Sequence, residues 1–162
     1  MNHPLTQRSV ILVKPDGLQR GLIGEIISRF ERKGLKLVAI KMVALNDVIL
    51  DQWYAHHKEK PFFPRLKEFM MQTPTVAMVW EGLEAIDTIR KIVGVTKGRA
   101  AEAGSIRGDF AMSQSNNLIH ASDSVEGAEK ELNLLFNAKK EVHEYESETE
   151  CLVYSNEERG EK

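Results

Sequence analysis

The chain has 162 residues, 42% hydrophobic and 28% charged, which suits one globular domain, residues 1–162, whose core needs no disulfide or metal. The formal net charge of −2 excludes an overall positive field for nucleic acid or membranes, so any anion site must be a local cluster of cations. The single cysteine excludes an internal disulfide, and no signal-peptide or membrane-spanning apolar run is found, which predicts a cytoplasmic protein.

The first half of the chain alternates between strand and helix signals. Residues 9–13 form an apolar, β-branched run typical of a buried strand, and Pro15 with the following Asp-Gly pair predicts a turn. Apolar residues then recur at helical spacing from 23 to 30, and Gly34 suits the helix C-terminus. Residues 35–45 alternate as a second strand. Asn46 or Asp47 is expected to cap a helix that runs through positions 53 and 57.

The second half continues the alternation with weaker signals. Prolines at 61 and 64 interrupt the preceding helix, and a shorter helix is predicted at 66–71. Residues 75–80 predict a third strand and residues 83–93 a third helix, whereas the small and charged residues 94–105 predict a surface loop. A fourth strand ends at 118–120 and a fourth helix covers 125–136. The order predicts a compact α/β sandwich with helices packed on one sheet, but it does not fix the strand order.

Common phosphate- and metal-binding signatures are absent from the sequence. It contains no G-x-x-x-x-G-K-[ST], G-x-G-x-x-G, C-x-x-C or H-E-x-x-H motif, so a P-loop and a structural zinc site are disfavoured. The remaining candidates for chemistry are histidines and scattered cations.

His120 is the strongest candidate for a reactive residue. It closes an apolar strand, and Asp123 or Ser124 can cap the helix that follows. The free N–H groups at the start of such a helix favour anions. A core or surface histidine beside a capping sequence explains the same residues, and the local pattern leaves both possibilities open. The other histidines, at positions 3, 56, 57 and 143, are predicted to be ordinary surface residues.

Three cations lie where an α/β sheet commonly binds ligands. Lys14 ends the first strand, Arg90 lies on the third helix and Arg107 follows the predicted loop. Taken singly, each fits a solvated surface charge. Together they could hold a polyphosphate, since a charge-assisted contact contributes about 1.5–3 kcal/mol.

With these residues in place, the chain closely resembles nucleoside diphosphate kinases from about residue 9 to residue 154. The resemblance is carried by six segments in order, and the combination is far more specific than any one of them. They are Val-Lys-Pro-Asp-Gly at 13–17, Gln-Arg-Gly-Leu-Ile-Gly at 19–24, Lys-Pro-Phe-Phe at 60–63, Val-Ala-Met-Val-Trp-Glu-Gly at 76–82, Ile-Arg-Gly-Asp-Phe at 106–110 and Asn-Leu-Ile-His-Ala-Ser-Asp-Ser at 117–124.

The resemblance implies a phosphotransferase that moves the terminal phosphate of ATP to a nucleoside diphosphate in a ping-pong reaction. His120 would be the nucleophile, Glu131 would accept a hydrogen bond from its other ring nitrogen, and Ser122 would bond to that glutamate. The nucleotide would be held by a larger set. The phosphates would be bound by Lys14, Arg90, Thr96 and Arg107, with Tyr54 beside them. The ribose hydroxyls would be bound by Lys14 and Asn117, and Phe62 would stack on the base. A base held by a flat ring would allow broad base specificity.

The resemblance further implies a ferredoxin-like βαββαβ fold, an α+β sandwich with helices packed on an antiparallel sheet. Magnesium would be held by nucleotide phosphates and water, with no direct protein ligand. Relatives form homo-oligomers, and the length of the tail to residue 154 favours a hexamer over a tetramer. The charged residues 155–162 are predicted to be disordered.

A few positions depart from the usual family pattern. Ala121 replaces a common glycine and would be strained if the backbone there required positive φ, which we do not expect. Lys97, Gly98 and Ala103 replace a common Asn-Pro pair and a proline, and these changes could loosen the loop at 94–105. Gln114 stands where relatives often place a small apolar residue against the base.

Two other functions compete with this interpretation. A nucleic-acid-binding module of the same general architecture would need exposed aromatic residues on central strands and a basic face. Aromatic residues make up only 7% of the chain, so nucleic acid is not expected as the main partner. A catalytically silent scaffold is the second alternative. The intact set of cations with Asn117, His120 and Glu131 argues against it.

Overall fold

The computed structural model describes residues 3–160, whose strands form one four-stranded sheet. The strands are β1 (Thr6–Val13), β2 (Lys36–Val43), β3 (Thr75–Leu83) and β4 (Ile119–Ala121). Their order is β2-β3-β1-β4, and each neighbouring pair is antiparallel. This order and the helices between the strands confirm the predicted ferredoxin-like sandwich.

Helices connect the strands and cover both faces of the sheet. They are α1 (Pro15–Gln19), α2 (Ile23–Arg32), α3 (Asp47–Trp53), α4 (Phe63–Met70), α5 (Ala85–Val93), α6 (Ile106–Phe110), α7 (Val125–Leu135), α8 (Ala138–Glu141) and α9 (Glu150–Val153). Single turns of 3-10 helix occur at Ala55–His57 and Gly98–Ala100.

The alternation of side chains along the central strands builds two hydrophobic cores, one on each face of the sheet. On one face Ile11 and Trp80 pack with Phe30 of α2, and on the other Leu12 packs with Leu50 of α3. Trp80, the aromatic residue of the central strands, is fully buried. The sheet therefore lacks the exposed aromatic surface that a nucleic-acid-binding sheet would need.

Helix caps settle two alternatives that the sequence left open. The Asn46 side chain accepts a hydrogen bond from the Ile49 N–H and caps α3, while Ser124 accepts from the Gly127 N–H and caps α7. Gly34 follows α2 with φ of 90°, the left-handed conformation expected of a helix C-terminal glycine.

The structure corrects several predicted boundaries. The predicted turn after β1 is the short helix α1, because Pro15 at its first position lacks only an N–H that would be unpaired there. The helix through position 57 ends at Trp53, and α4 begins earlier than predicted, with Pro64 in its first turn. The predicted loop at 94–105 contains a 3-10 turn and leads into α6, which the sequence did not reveal.

Of the C-terminal residues 155–162, for which disorder is predicted, residues 156–160 are described as turns and residues 161–162 lie outside the described range. Ser155 explains the turns, because its N–H and hydroxyl both donate to Oε2 of Glu158 at 3.0 Å. Between residues 3 and 160, no helix combines the length and apolar character that crossing a membrane requires.

Candidate active site

A cleft of about 1670 Å³ opens beside the end of β1 and is lined by residues of α3, α4, α5, β4 and α7. It brings together nearly all the site residues predicted from the sequence. Its wall includes Lys14, Tyr54, Phe62, Arg90, Thr96, Arg107, Asn117, His120 and Glu131. Ser122 is fully buried and lies behind the wall.

Strand β4 presents His120 to this cleft. His120 pairs with Leu12 of β1, and its side chain is 20% exposed, so the ring is held by the sheet yet reachable from the cleft. Ala121 is the next strand residue and is not among the described non-glycine residues with positive φ, which are Glu84 and Leu118. The alanine is therefore unstrained, as expected.

Leu118, which directly precedes β4, has an unusual backbone conformation and is hydrogen bonded to the turn after β1. Its φ is 73°, a left-handed conformation uncommon for a bulky residue. The Leu118 N–H donates to Oδ2 of Asp16 at 3.1 Å, and its carbonyl accepts the Lys14 N–H at 2.8 Å. Gly17 permits this approach, since a Cβ there would lie 2.8 Å from the Leu118 oxygen. The turn after β1 thus holds the residue two positions before His120.

The carboxylate of Glu131, on α7, accepts the hydrogen bonds that surround the histidine. Because an ionised carboxylate only accepts, Nε2 of His120 donates to Oε1 at 2.7 Å. Nε1 of Trp53 donates to the same oxygen at 3.0 Å, and the Ser122 hydroxyl donates to Oε2 at 2.6 Å. Ser122 is itself fixed to β1, since its oxygen accepts the Val10 N–H at 2.9 Å. The carboxylate therefore fixes the orientation and tautomer of the imidazole.

A second network connects Lys14 to the loop that precedes β4. Nζ of Lys14 donates to Oδ1 of Asn117 at 2.7 Å, while the Asn117 amide donates to the carbonyls of Thr96 and Gln114, both at 2.8 Å. Burial, with a smaller contribution from the Arg107 charge, lowers the pKa of Lys14 to about 8. The ammonium group is mostly protonated at neutral pH but is held at an electrostatic cost that an anion would relieve.

Arg107 on α6 is anchored by backbone carbonyls at the cleft wall. Its guanidinium donates to the carbonyls of Gly94 at 2.9 Å, Ile119 at 2.6 Å and Asn117 at 3.3 Å. Burial, followed by the charge of Arg90, lowers the pKa of Arg107 to about 10. Two guanidinium groups and Lys14 therefore create a cationic region in a protein of negative net charge.

Aromatic rings pack against one another along the cleft. Tyr54 stacks on Trp53 with centroids 5.9 Å apart and on His57 at 6.1 Å, and the His57 ring meets Phe62 edge to face at 5.3 Å. Phe62 is 49% exposed, so about half of the residue surface is accessible from solvent. Burial, followed by the charge of Glu131, raises the pKa of Tyr54 well above its ordinary range, so the phenol stays protonated.

Neither His57 nor Trp53 was placed in the cleft from the sequence. His57 was expected on the surface but lines the cleft, and Trp53 was assigned only to a helix. Their positions depend on where α3 ends and how it packs, which residue spacing does not reveal. Of the other histidines, His143 is exposed and His3 is partly exposed, as expected, while the side chain of His56 lies outside the description.

Three carboxylates are among the residues that line the cleft. Asp123 and Glu126 contribute to the lining, and Glu131 is already engaged by three donors. In the described part of the chain, no group of three or more His, Cys, Asp or Glu side chains is placed to hold a metal ion.

Comparison with known proteins identifies the family. The family model described as nucleoside diphosphate kinase matches residues 7–141. The nucleoside diphosphate kinase of Parabacteroides distasonis is 48% identical over 94% of this chain and 99% of its own length. That of Saccharomyces cerevisiae is also 48% identical, over 92% of this chain and 97% of its own length.

Solved structures agree with the sequence comparison. The crystal structure of a family protein from Babesia bovis has a TM-score of 0.88 and 44% identity, covering 91% of this chain and 99% of its own. The Halobacterium salinarum nucleoside diphosphate kinase in complex with CDP has a TM-score of 0.88 and 42% identity, covering 92% of this chain and 99% of its own. The chain therefore belongs to the nucleoside diphosphate kinase family and is a nucleotide-binding phosphotransferase.

Proposed function

We propose that this enzyme transfers the terminal phosphate of a nucleoside triphosphate, mainly ATP, to a nucleoside diphosphate through a phosphohistidine at His120. The observation that carries the proposal is the hydrogen bond from Nε2 of His120 to Glu131 at 2.7 Å. This bond keeps the proton on Nε2, so Nδ1 retains the lone pair that a nucleophile needs. No residue of the described range hydrogen bonds to Nδ1.

The reaction balances without an additional acid or base. The lone pair of Nδ1 forms a bond to the γ-phosphorus, while the bond from that phosphorus to the β,γ-bridging oxygen breaks and ADP departs. A diphosphate then binds in the same cleft, and its terminal oxygen takes the phosphate from Nδ1. Glu131 stabilises the positive charge that the ring acquires while it carries the phosphate.

The cations of the cleft fit a role in positioning and neutralising the transferred group, which dominates phosphoryl transfer. We assign phosphate contacts to Lys14, Arg90 and Arg107, with Thr96 and Tyr54 completing the site. The buried Lys14 and the three carbonyl bonds of Arg107 support this assignment, because groups held in place need little reorganisation when the substrate binds.

Sugar and base contacts are assigned to a buried polar pair and to a half-exposed ring of the cleft. We assign the ribose hydroxyls to Lys14 and Asn117, whose side chains lie within 2.7 Å of each other, and the base to the half-exposed ring of Phe62. Stacking uses the face common to all bases, so broad base tolerance follows. Gln114 also lines the cleft and is the candidate for the opposite wall of the base site.

The donor set suits magnesium that arrives with the nucleotide. The cleft supplies cations rather than clustered carboxylates, so we propose that Mg²⁺ is held by phosphate oxygens and water. When bound, the ion would neutralise charge on those oxygens. Lys14 and the two arginines would orient the same phosphates from the protein side.

Assembly and location are also proposed. We favour a homo-oligomer, with a hexamer over a tetramer, which light scattering would distinguish. The edge strand β2 supports self-association, because Ile40 and Met42 are 50% and 62% exposed. A cytoplasmic location is supported by a single cysteine, Cys151, that has no disulfide partner, and cell fractionation would test it.

The proposed function is tested by a phosphate-transfer assay with labelled ATP and several nucleoside diphosphates. We expect label in each triphosphate product, and no transfer by His120→Ala with its fold intact by circular dichroism. The matched control is His143→Ala, because His143 is exposed and lies outside the cleft residues. Normal turnover by the His120 variant would refute the mechanism.

A further inference from the structure

Trp53 lies at the C-terminal end of α3, where it contacts two residues of the proposed catalytic machinery. Its Nε1 donates to Oε1 of Glu131 at 3.0 Å. Its ring meets the His120 ring edge to face, with centroids 5.0 Å apart and planes inclined by 87°. Trp53 is only 8% exposed, so both contacts are sheltered from water.

The hydrogen bond from the indole N–H of Trp53 helps to fix the orientation of the Glu131 carboxylate. Rotation of a glutamate carboxylate about its last torsion is loosely restrained by covalent geometry. Ser122 holds Oε2, but Oε1 must face His120 for the imidazole bond to form. The indole N–H provides a second fixed donor to Oε1, from a different helix than the one that carries Glu131.

We infer that Trp53 is a positioning residue for phosphate transfer. Its N–H fixes Oε1 of Glu131, and its ring limits the tilt of His120, so the proton stays on Nε2 and Nδ1 stays aligned for attack. The inference rests on the proposed function, because it assigns Trp53 a positioning role in the same site. Trp53 acts through Glu131 and His120 and exchanges no proton or phosphate itself.

The two tryptophans of the chain offer a matched test. Benzothienylalanine, in which sulfur replaces the indole N–H, is incorporated at position 53 or at position 80. The Trp80 side chain is fully buried, and its Nε1 has no hydrogen-bond partner in the described structure, so replacement there controls for the analogue itself. The Trp53→Phe variant is the conventional counterpart, since it keeps an aromatic ring but removes the donor.

Two readouts separate positioning from general stability. Loss of the donor at position 53 should slow single-turnover phosphorylation by ATP about tenfold, the lower end of what a hydrogen bond to a charged group contributes. Nucleotide affinity should stay within about twofold, because the donor bonds Glu131. Nitrogen-15 NMR should report a single Nε2-protonated tautomer in the unmodified protein and a mixture in both position-53 variants.

The outcomes distinguish this inference from the proposed function. If the unmodified protein forms no phosphohistidine, the proposed function fails, whatever position 53 does. If it forms phosphohistidine and the position-53 proteins match the position-80 control in rate and tautomer, the role of Trp53 is refuted. A changed tautomer with a tenfold slower rate supports it. The NMR readout does not depend on turnover and applies even to weakly active proteins.

Discussion

Replacing Glu131 by glutamine removes the negative charge behind His120 while preserving the shape of the side chain. The amide oxygen can take the place of Oε1 and accept from His120 and Trp53. The amide N–H group can donate to Ser122, whose hydroxyl can turn to the Val10 carbonyl at 3.2 Å. All buried donors keep partners, so we expect the fold to survive.

The charge change determines the expected rate. Two unit charges about 4 Å apart interact by about 4 kcal/mol at an effective dielectric constant of about 20. The His120 ring acquires only part of a unit charge in the transition state, and half of that energy, about 2 kcal/mol, corresponds to a roughly 30-fold slower reaction. Nucleotide affinity should change little, because the carboxylate of Glu131 is occupied by hydrogen bonds from His120, Trp53 and Ser122.

The measurement is single-turnover phosphorylation of the protein by labelled ATP under rapid quench. Glu129→Gln is the matched control, since Glu129 is exposed on the same helix and its substitution changes the net charge equally. If Glu131→Gln and Glu129→Gln phosphorylate within twofold of each other, the charge of Glu131 does not assist the transfer, and this account of the site is wrong.

Three further predictions concern the turn after β1. The folded pKa of Lys14, about 8, lies below its ordinary value of 10.5, so burial of its charge destabilises the fold below pH 8. The free energy of unfolding should therefore rise by about 3 kcal/mol between pH 8 and 10.5, and denaturant titration should find this rise absent in Lys14→Met. Over the same pH interval, calorimetry should show that nucleotide affinity falls and that nucleotide binding is accompanied by proton uptake. An affinity that does not depend on pH would contradict the assignment of Lys14. Asp16→Ala removes the acceptor of the Leu118 N–H and should reduce stability by about 1.5–3 kcal/mol; an unchanged denaturation midpoint would refute that anchor. Gly17→Ala should lower the free energy of unfolding by about 1–3 kcal/mol, because the new Cβ would lie 2.8 Å from the Leu118 oxygen. Gly24→Ala, which has open space around the new Cβ, should be neutral or stabilising. Equal effects of the two substitutions would contradict the close approach of Gly17 to Leu118.

The long elements were predictable because their side-chain periodicity is strong. The apolar run of β1 and the helical spacing of α2 and α5 each bury one continuous face, which sequence alone displays. Short elements were not predictable in this way. Helix α6 is five residues long and is held by its Ser105 cap and by Arg107 bonds to distant carbonyls, so its local composition resembles a loop.

The site residues likewise include some that the sequence indicated and some that it did not. The corner after β4 identified His120 as a candidate, but only the resemblance to a family linked it to Glu131, eleven positions along the chain. Contacts that depend on packing between separate elements gave no signal in the sequence. The indole bond of Trp53 and the left-handed Leu118 are of this kind, since each depends on a partner from a different helix or turn.

The most direct test of the central claim is the position of phosphate on the protein after brief reaction with ATP and magnesium. Phosphorus-31 NMR, with tandem mass spectrometry to map the residue, distinguishes the two ring nitrogens of a phosphohistidine. We predict phosphate on Nδ1 of His120, stable in alkali, labile in acid and discharged by added nucleoside diphosphate. Phosphate on Nε2, on another residue, or in a form that no diphosphate can discharge would contradict it.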